Sequence, residues 1–217
     1  MRYPKTDKTK ISRDAHRGSY DSETIHRILD HSMYCVISFC QENKPFAIPT
    51  GHVRLGHQLF VHGSAKSHFL TQLIPEKEVC ISASIMDGLV LAKSGLSHSF
   101  NYRSVILFAN TFVVEEQEKK RKVLKAFTEK LIPGRWEEIR KPTGHELNAT
   151  KILGFDIKEA SAKQRSGPPN DNRADQSLPV WAGVIPLQQQ FGPPEEHAPD
   201  TDSRPLPSHI KELLDND

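Results

Sequence analysis

The feature that most constrains this chain is a series of short apolar stretches, each closed by a turn signal. Residues 34–40 end at Glu42-Asn43-Lys44, residues 46–54 at Leu55-Gly56-His57, and residues 59–62 at Gly63-Ser64. Strand character returns at 79–85, turns at Asp87-Gly88 and resumes at 89–93; 104–114, the longest, and 150–157 complete the set. Asp-Gly between apolar runs is a strong hairpin signal. Parallel crossovers need a helix between strands, and that alternation is missing. The pattern therefore predicts a mainly β (α+β) chain of six to seven strands, forming a closed antiparallel barrel with helices packed outside.

Few helices are expected. Asp21 is a candidate N-cap with Glu23 in the first turn, and Ile25, Ile28 and Leu29 share one face. Ser64 can cap a short helix with Phe69, Leu70 and Leu73 inside and Pro75 at its end. Residues 115–131 place Val123, Leu124, Phe127 and Leu131 on an inner face, and Pro133-Gly134 stops them. From Ala160 onward the chain is rich in Pro, Gly, Asn and Asp, with an apolar island around Trp181 that is expected to dock on something. These readings divide the chain into a flexible or loosely docked basic arm (1–18), a barrel domain (19–187) and an acidic, Pro-rich disordered tail (188–217) with a short helix at 208–214.

Charge follows the same division. Residues 188–217 hold seven acids and two bases, leaving 27 basic and 20 acidic residues in 1–187. A moderately basic body suits an anionic small ligand. It lacks the dense Lys/Arg stripe with interleaved aromatics of a nucleic-acid binder. No apolar run approaches the ~20 residues that span a bilayer, and residues 1–18 have no apolar stretch of a secretory signal. Three cysteines, none in a C-x-x-C pair, argue against a disulfide framework; Cys35 and Cys40 read as buried free thiols, and a cytoplasmic location is expected.

Val61-His62-Gly63-Ser64-Ala65-Lys66-Ser67 is the most informative stretch for chemistry. A strand end, a glycine, two hydroxyls and a lysine ahead of a helix suit a phosphate, because helix N-termini present unpaired N–H groups. The plainer alternative is a serine cap beside an exposed Lys66. His52, His57 and His62 recur every five residues, which fits neither one helix face nor one strand face, so they do not read as a metal site. Glycine-rich dinucleotide and Walker loops are absent.

Several blocks occur together in order. They are the His62–Ser67 stretch, Met86-Asp87-Gly88-Leu89-Val90-Leu91-Ala92-Lys93-Ser94, His98-Ser99-Phe100-Asn101-Tyr102-Arg103-Ser104-Val105, Pro133-Gly134-Arg135-Trp136, Ser161-Ala162-Lys163 with Gly167-Pro168-Pro169, and Val180-Trp181-Ala182-Gly183-Val184. From about Arg17 to Leu187 the chain resembles the pyridoxamine 5′-phosphate oxidase-like, FMN-binding split-barrel family, in its nitroimidazole-resistance-protein-like branch. The resemblance implies a homodimer with flavin at the subunit interface, FMN as cofactor with FAD as the alternative, and oxidoreduction of a small molecule with NAD(P)H as a transient donor. It implies that Gly63, Ser64, Lys66 and Ser67 lie near the phosphate with Arg54 as a second cation. It further implies that Asn101, Tyr102, Arg103 and Ser104 meet the flavin, that Lys163 and Trp181 edge the site, and that His62 is a catalytic proton donor. A non-catalytic flavin carrier and a haem-binding split barrel are the alternatives.

Overall fold

The computed structural model describes residues 1–73, 78–197 and 204–215. The elements in chain order are β1 (Gly18–Ser19), α1 (Ser22–His31), β2 (Tyr34–Gln41), β3 (Lys44–Gly51), β4 (Val53–Leu55), β5 (Gln58–Ser64) and α2 (His68–Gln72). After these come β6 (Glu78–Leu91), β7 (Ser99–Val113), α3 (Gln117–Leu131), α4 (Arg135–Glu138), α5 (Gly144–Ala149), β8 (Thr150–Arg165), β9 (Gly183–Pro186) and α6 (Ser208–Asp215). All nine strands belong to one antiparallel sheet of order β3-β2-β6-β7-β8-β5-β4, with β1 on β8 and β9 on β6. This is the expected split barrel. No strand pairing joins β3 to β4 among the described residues, so the sheet is not closed as the sequence pattern suggested.

Local chemistry accounts for the elements that the sequence placed well. The Asp21 carboxylate accepts from the Thr24 amide at 2.9 Å and starts α1, whose Ile25, Ile28 and Leu29 are buried. Glu42 and Asn43 both adopt positive φ, the geometry of a tight two-residue hairpin between β2 and β3. Pro45 and Pro49 are tolerated in β3 because it is an edge strand. The main core, with Ile37, Leu59, Val61, Ile81, Leu107 and Phe155, fills the barrel. A second cluster of Val53, Phe60, Val114, Val123, Phe127 and Ile152 lies between the sheet and α3. A buried lysine fastens α3: Lys120 Nζ donates to the Leu147 and Thr150 carbonyls at 3.0 and 2.8 Å.

Other expectations change. Asp87-Gly88 is not a hairpin: β6 runs straight through it, paired with β7, and the register shift between Met86 and Gly88 marks a bulge. Gly63-Ser64 does not end β5, which runs through Ser64; a side chain at Gly63 would press on Leu70 Cδ1 at 3.0 Å. The α2 cap is Ser67 rather than Ser64, and its expected Pro75 stop lies outside the described residues. Leu131, expected inside, is exposed at the end of α3, and Cys40 is exposed while Cys35 is buried. The longest strand is β8, because 158–165 continue it with Ala160, Ser161 and Ala162 buried. The arm 1–18 is seated on the body: Tyr3 is buried, its hydroxyl meets His26 Nε2 at 2.9 Å, and Thr6 Oγ1 donates to Glu159. In the tail, α6 brings His209 against Gly134 and Glu138.

Candidate functional site

β5 places His62 on the outer face of the sheet, where its ring meets Phe127 of α3 edge-on with centroids 4.4 Å apart. His62 is exposed as a residue, but partial removal from water on the Phe127 side holds its pKa below the ordinary imidazole value. His62, Phe127, His52, Lys130, Gly51 and Met33 help line a cleft of about 170 Å³. His52 is buried, and its Nε2 meets the Leu29 carbonyl at 2.8 Å. Donation from Nε2 leaves Nδ1 a buried acceptor without a protein partner. Burial, reinforced by the charge of Lys130, pushes the His52 pKa down to about 4. The Lys130 ammonium donates to the carbonyls of Leu29, Ser32 and His52 at 3.2, 2.7 and 3.0 Å, a cation at the C-terminal end of α1. Burial pushes its pKa down to about 8.

Gly63, Ser64, Lys66 and Ser67 continue from His62 beyond this cleft. The backbone amides expected to face a phosphate are engaged within the chain: Ala65 on the Ala149 carbonyl, Lys66 on Ser64 Oγ and Ser67 on the Ser64 carbonyl. The exposed Lys66 ammonium has no protein partner among the described residues. Arg54 does not join it. Arg54 grips Asp30 through Nε and Nη2 at 2.9 and 2.6 Å, and on the ladder it sits opposite Leu59, roughly 17 Å of strand from Ser64.

The second group of candidates gathers where β7 begins. The Asp87 bulge turns its carboxylate onto Arg103, which forks it through Nε and Nη2 at 2.9 and 2.7 Å. Asn101 is buried; it donates to the Gly167 carbonyl at 3.2 Å and accepts from Arg165. Arg165 donates further to the Gly167 and Pro168 carbonyls, fixing the turn in which Gly167 takes positive φ. Asn101, Tyr102, Arg103, Arg165 and Ser166 help line a cleft of about 450 Å³, closed on one side by Val184 of β9. Ser104 and Lys163 do not line it: Ser104 Oγ donates to the Lys163 carbonyl, and Lys163 Nζ holds the arm at the Arg13 carbonyl. Trp181 is not packed on the barrel of its own chain. It is 64% exposed and lies over Gly183, where a side chain would meet its ring at 2.8 Å.

Two further clefts connect these groups. One of about 550 Å³, with His31, Tyr34 and Met86 in its wall, shares Met33 with the His62 cleft and Asp87 and Arg103 with the Tyr102 cleft. Another of about 360 Å³, with His16 and Arg17, shares Arg165 and Ser166. The four clefts therefore adjoin one another in a row, a segmented groove from His62 past Arg103 to Arg17 in which each cleft shares wall residues with the next. Sequence reasoning missed Asp87, His52, Lys130 and Arg17 as parts of it. Their signal is in the strand pairing and the docking of the arm, which no local pattern carries.

A family model described as pyridoxamine 5′-phosphate oxidase matches residues 21–164. The chain belongs to the pyridoxamine 5′-phosphate oxidase family. The flavocytochrome Anf3 from Azotobacter vinelandii is 34% identical, with 95% of this chain and 96% of that chain covered and a TM-score of 0.87. The FAD and heme binding protein from Mycobacterium smegmatis is also 34% identical, covering 91% and 97% with a TM-score of 0.85. A Bacteroides thetaiotaomicron structure assigned to the 5-nitroimidazole antibiotic resistance proteins shares the fold at 17% identity, covering 67% and 85% with a TM-score of 0.55. No curated protein matches the sequence. Among the described residues, no helix of this family member is long and apolar enough to cross a membrane.

Proposed function

We propose that this chain binds a flavin, FAD in preference to FMN, in the groove between His62 and Arg165, and uses it to oxidise or reduce a small molecule. The observation that carries the reading is the row of four adjoining clefts, joined in pairs by Met33, by Asp87 and Arg103, and by Arg165 and Ser166. Whole-chain similarity to two proteins named for a flavocytochrome and for FAD and heme binding supports the larger cofactor. The residues fit such a group. His52 Nδ1 is a buried acceptor in need of an N–H or O–H donor. Tyr102 lines the groove with a hydroxyl, and its cations suit phosphates. A bound flavin supplies the hydride and electron chemistry; the chain orients it and sets the charge around it. With its pKa lowered, His62 is neutral at pH 7 and can exchange a proton through its ring.

The reading includes a homodimer. Tyr34 is 69% and Met86 is 52% exposed beside the groove, and Trp181 and Phe100 add apolar surface nearby. A second copy seated there would bury what one chain leaves in water. NAD(P)H is the proposed electron donor.

A second reading, haem in place of flavin in the middle of the groove, is favoured by His31. Its Nδ1 lies 2.7 Å from the Arg27 carbonyl. Donation there fixes the tautomer, leaving Nε2 with a free lone pair beside the cleft shared with Met33 and Met86.

An absorption spectrum of the purified chain, chromatography of the released cofactor and a pyridine haemochromogen assay test both readings. Released FAD supports the proposal, and FMN would keep the flavin while shortening the cofactor. A colourless protein that takes up neither flavin overturns it. Bound flavin that NAD(P)H cannot reduce would assign a carrier instead of an oxidoreductase.

A further inference from the structure

The Arg17 end of the groove differs in charge from the sites of Arg54 and Arg103. Arg54 and Arg103 are each forked by a carboxylate, Asp30 and Asp87. Arg165 has no carboxylate partner among the described residues. It meets only the Asn101 amide oxygen and the Gly167 and Pro168 carbonyls. Lys163 of the same strand face is held by a carbonyl alone. β1 pairs Gly18 with Lys163, which brings the preceding residues of the arm over the end of β8. His16, Arg17, Arg165, Ser166, Pro168 and Asn170 line the resulting cleft of about 360 Å³. Two carboxylates approach it. Asp14 touches Arg17 through a single 3.3 Å contact, and Asp171 is turned away to the Lys93 amide at 2.8 Å. Arg13 is exposed, and its carbonyl accepts from Lys163 Nζ at 3.1 Å.

The geometry points to this cleft as an anion site for the diphosphate of an adenine dinucleotide. A half-buried guanidinium without a counter-charge is stabilised by an incoming anion. The fork of Arg17 matches paired phosphate oxygens. The neighbouring cleft supplies Tyr102 and an apolar Val184 wall on which the organic part of the same ligand can lie. Two ligands carry this chemistry, the flavin in its FAD form and the nicotinamide donor. The inference deepens the proposed function but depends on it only for the choice between these two.

The test is titration of the full chain, freed of any bound flavin, with inorganic pyrophosphate, followed by calorimetry. Arg17→Ala and Arg165→Gln should each weaken binding about tenfold, the effect of losing one hydrogen bond to a charged group. Arg17→Lys should restore part of it, and thermal melts check that each variant is folded. The source is assigned by two further arms. Loss of FAD with retention of FMN in Arg17→Ala makes the diphosphate the flavin's. Unchanged flavin content with an about tenfold higher KM for NAD(P)H makes it the donor's. Pyrophosphate affinity equal in wild type, Arg17→Ala and Arg165→Gln overturns the site. The titration needs no bound flavin, so a flavin-free chain would sink the proposed function without touching this result.

Discussion

The two ends of the groove use positive charge in opposite ways. At the His52 end, Lys130 is turned inward and satisfies three carbonyls where α1 finishes, while nearby Arg54 is locked to Asp30. At the Arg17 end, half-buried Arg165 and Lys163 have only amide or carbonyl oxygens as partners, Arg13 is exposed, and only Arg17 touches an acid. The first set is spent on the fold; in the second, Arg165 and Lys163 also fasten a turn and the arm, but through neutral carbonyl and amide oxygens that leave their charge uncompensated for a ligand. A cation count along the sequence gives both ends the same weight. Partnering distinguishes them, and it can be tested by removing groups one at a time.

The largest expected effect is at His52, and it depends on pH. A histidine whose pKa falls from 6.5 unfolded to about 4 folded binds its proton more readily in the unfolded chain. Its contribution is therefore complete above pH 6.5 and is lost progressively as pH falls to 4. The total is roughly 3 kcal/mol. Urea midpoints at pH 7 and pH 4.5 should diverge more in wild type than in His52→Gln. Equal pH slopes would mean that the imidazole charges freely and that this end is as wet as the other.

Lys130→Met comes next. It keeps the aliphatic stem but leaves the Ser32 and His52 carbonyls without the ammonium donor, while Leu29 retains His52 Nε2. Unsatisfied buried acceptors cost ~1–3 kcal/mol each, partly offset by relief of the buried charge, for a net loss of about 2 kcal/mol. Chemical denaturation measures it directly. A variant as stable as wild type would place Lys130 with the ligand-facing cations.

Much of this was legible in the sequence wherever the determinant is local. The Asp21 cap, the Glu42-Asn43 turn and the inward face of α3 at Val123 and Phe127 each depend on residues within one or two turns of chain. Asp87-Gly88 misled because the dipeptide has two uses, and only the pairing of β6 with β7 through Met86↔Tyr102 and Gly88↔Asn101 selects the bulge. Residues 158–165 look like a polar loop, yet they complete β8 because β7 and β1 both pair with them. In the candidate site, the family resemblance singles out Asn101, Tyr102 and Arg103, and the structure sets all three along one cleft. It does not single out His16 and Arg17. Their relevance arises only when Tyr3 and Thr6 seat the arm against the barrel.

Asp87→Asn would sharpen the contrast in the middle of the groove. The Arg103–Asp87 pair is about one-third exposed on both sides. Its loss should cost only about 1 kcal/mol. Freed of its carboxylate, Arg103 should begin to resemble Arg165, so pyrophosphate should bind a few-fold more tightly as the melting temperature drops slightly. Weaker pyrophosphate binding would show instead that Asp87 orients Arg103 for the ligand.

The smallest effect is the most discriminating. Arg17→Ala should leave unfolding free energy within about 0.5 kcal/mol of wild type, as expected for a surface group outside the packed core. Its contact with Asp14 is long and single, so little structure depends on it. The same substitution is expected to lower pyrophosphate affinity, and that separation of binding from stability is what a ligand-facing cation must show. A loss of several degrees in melting temperature would move Arg17 into the class of Lys130. The arm would then be fastened by Arg17 as well as by Tyr3, Thr6 and Lys163, and the two ends of the groove would no longer differ in kind.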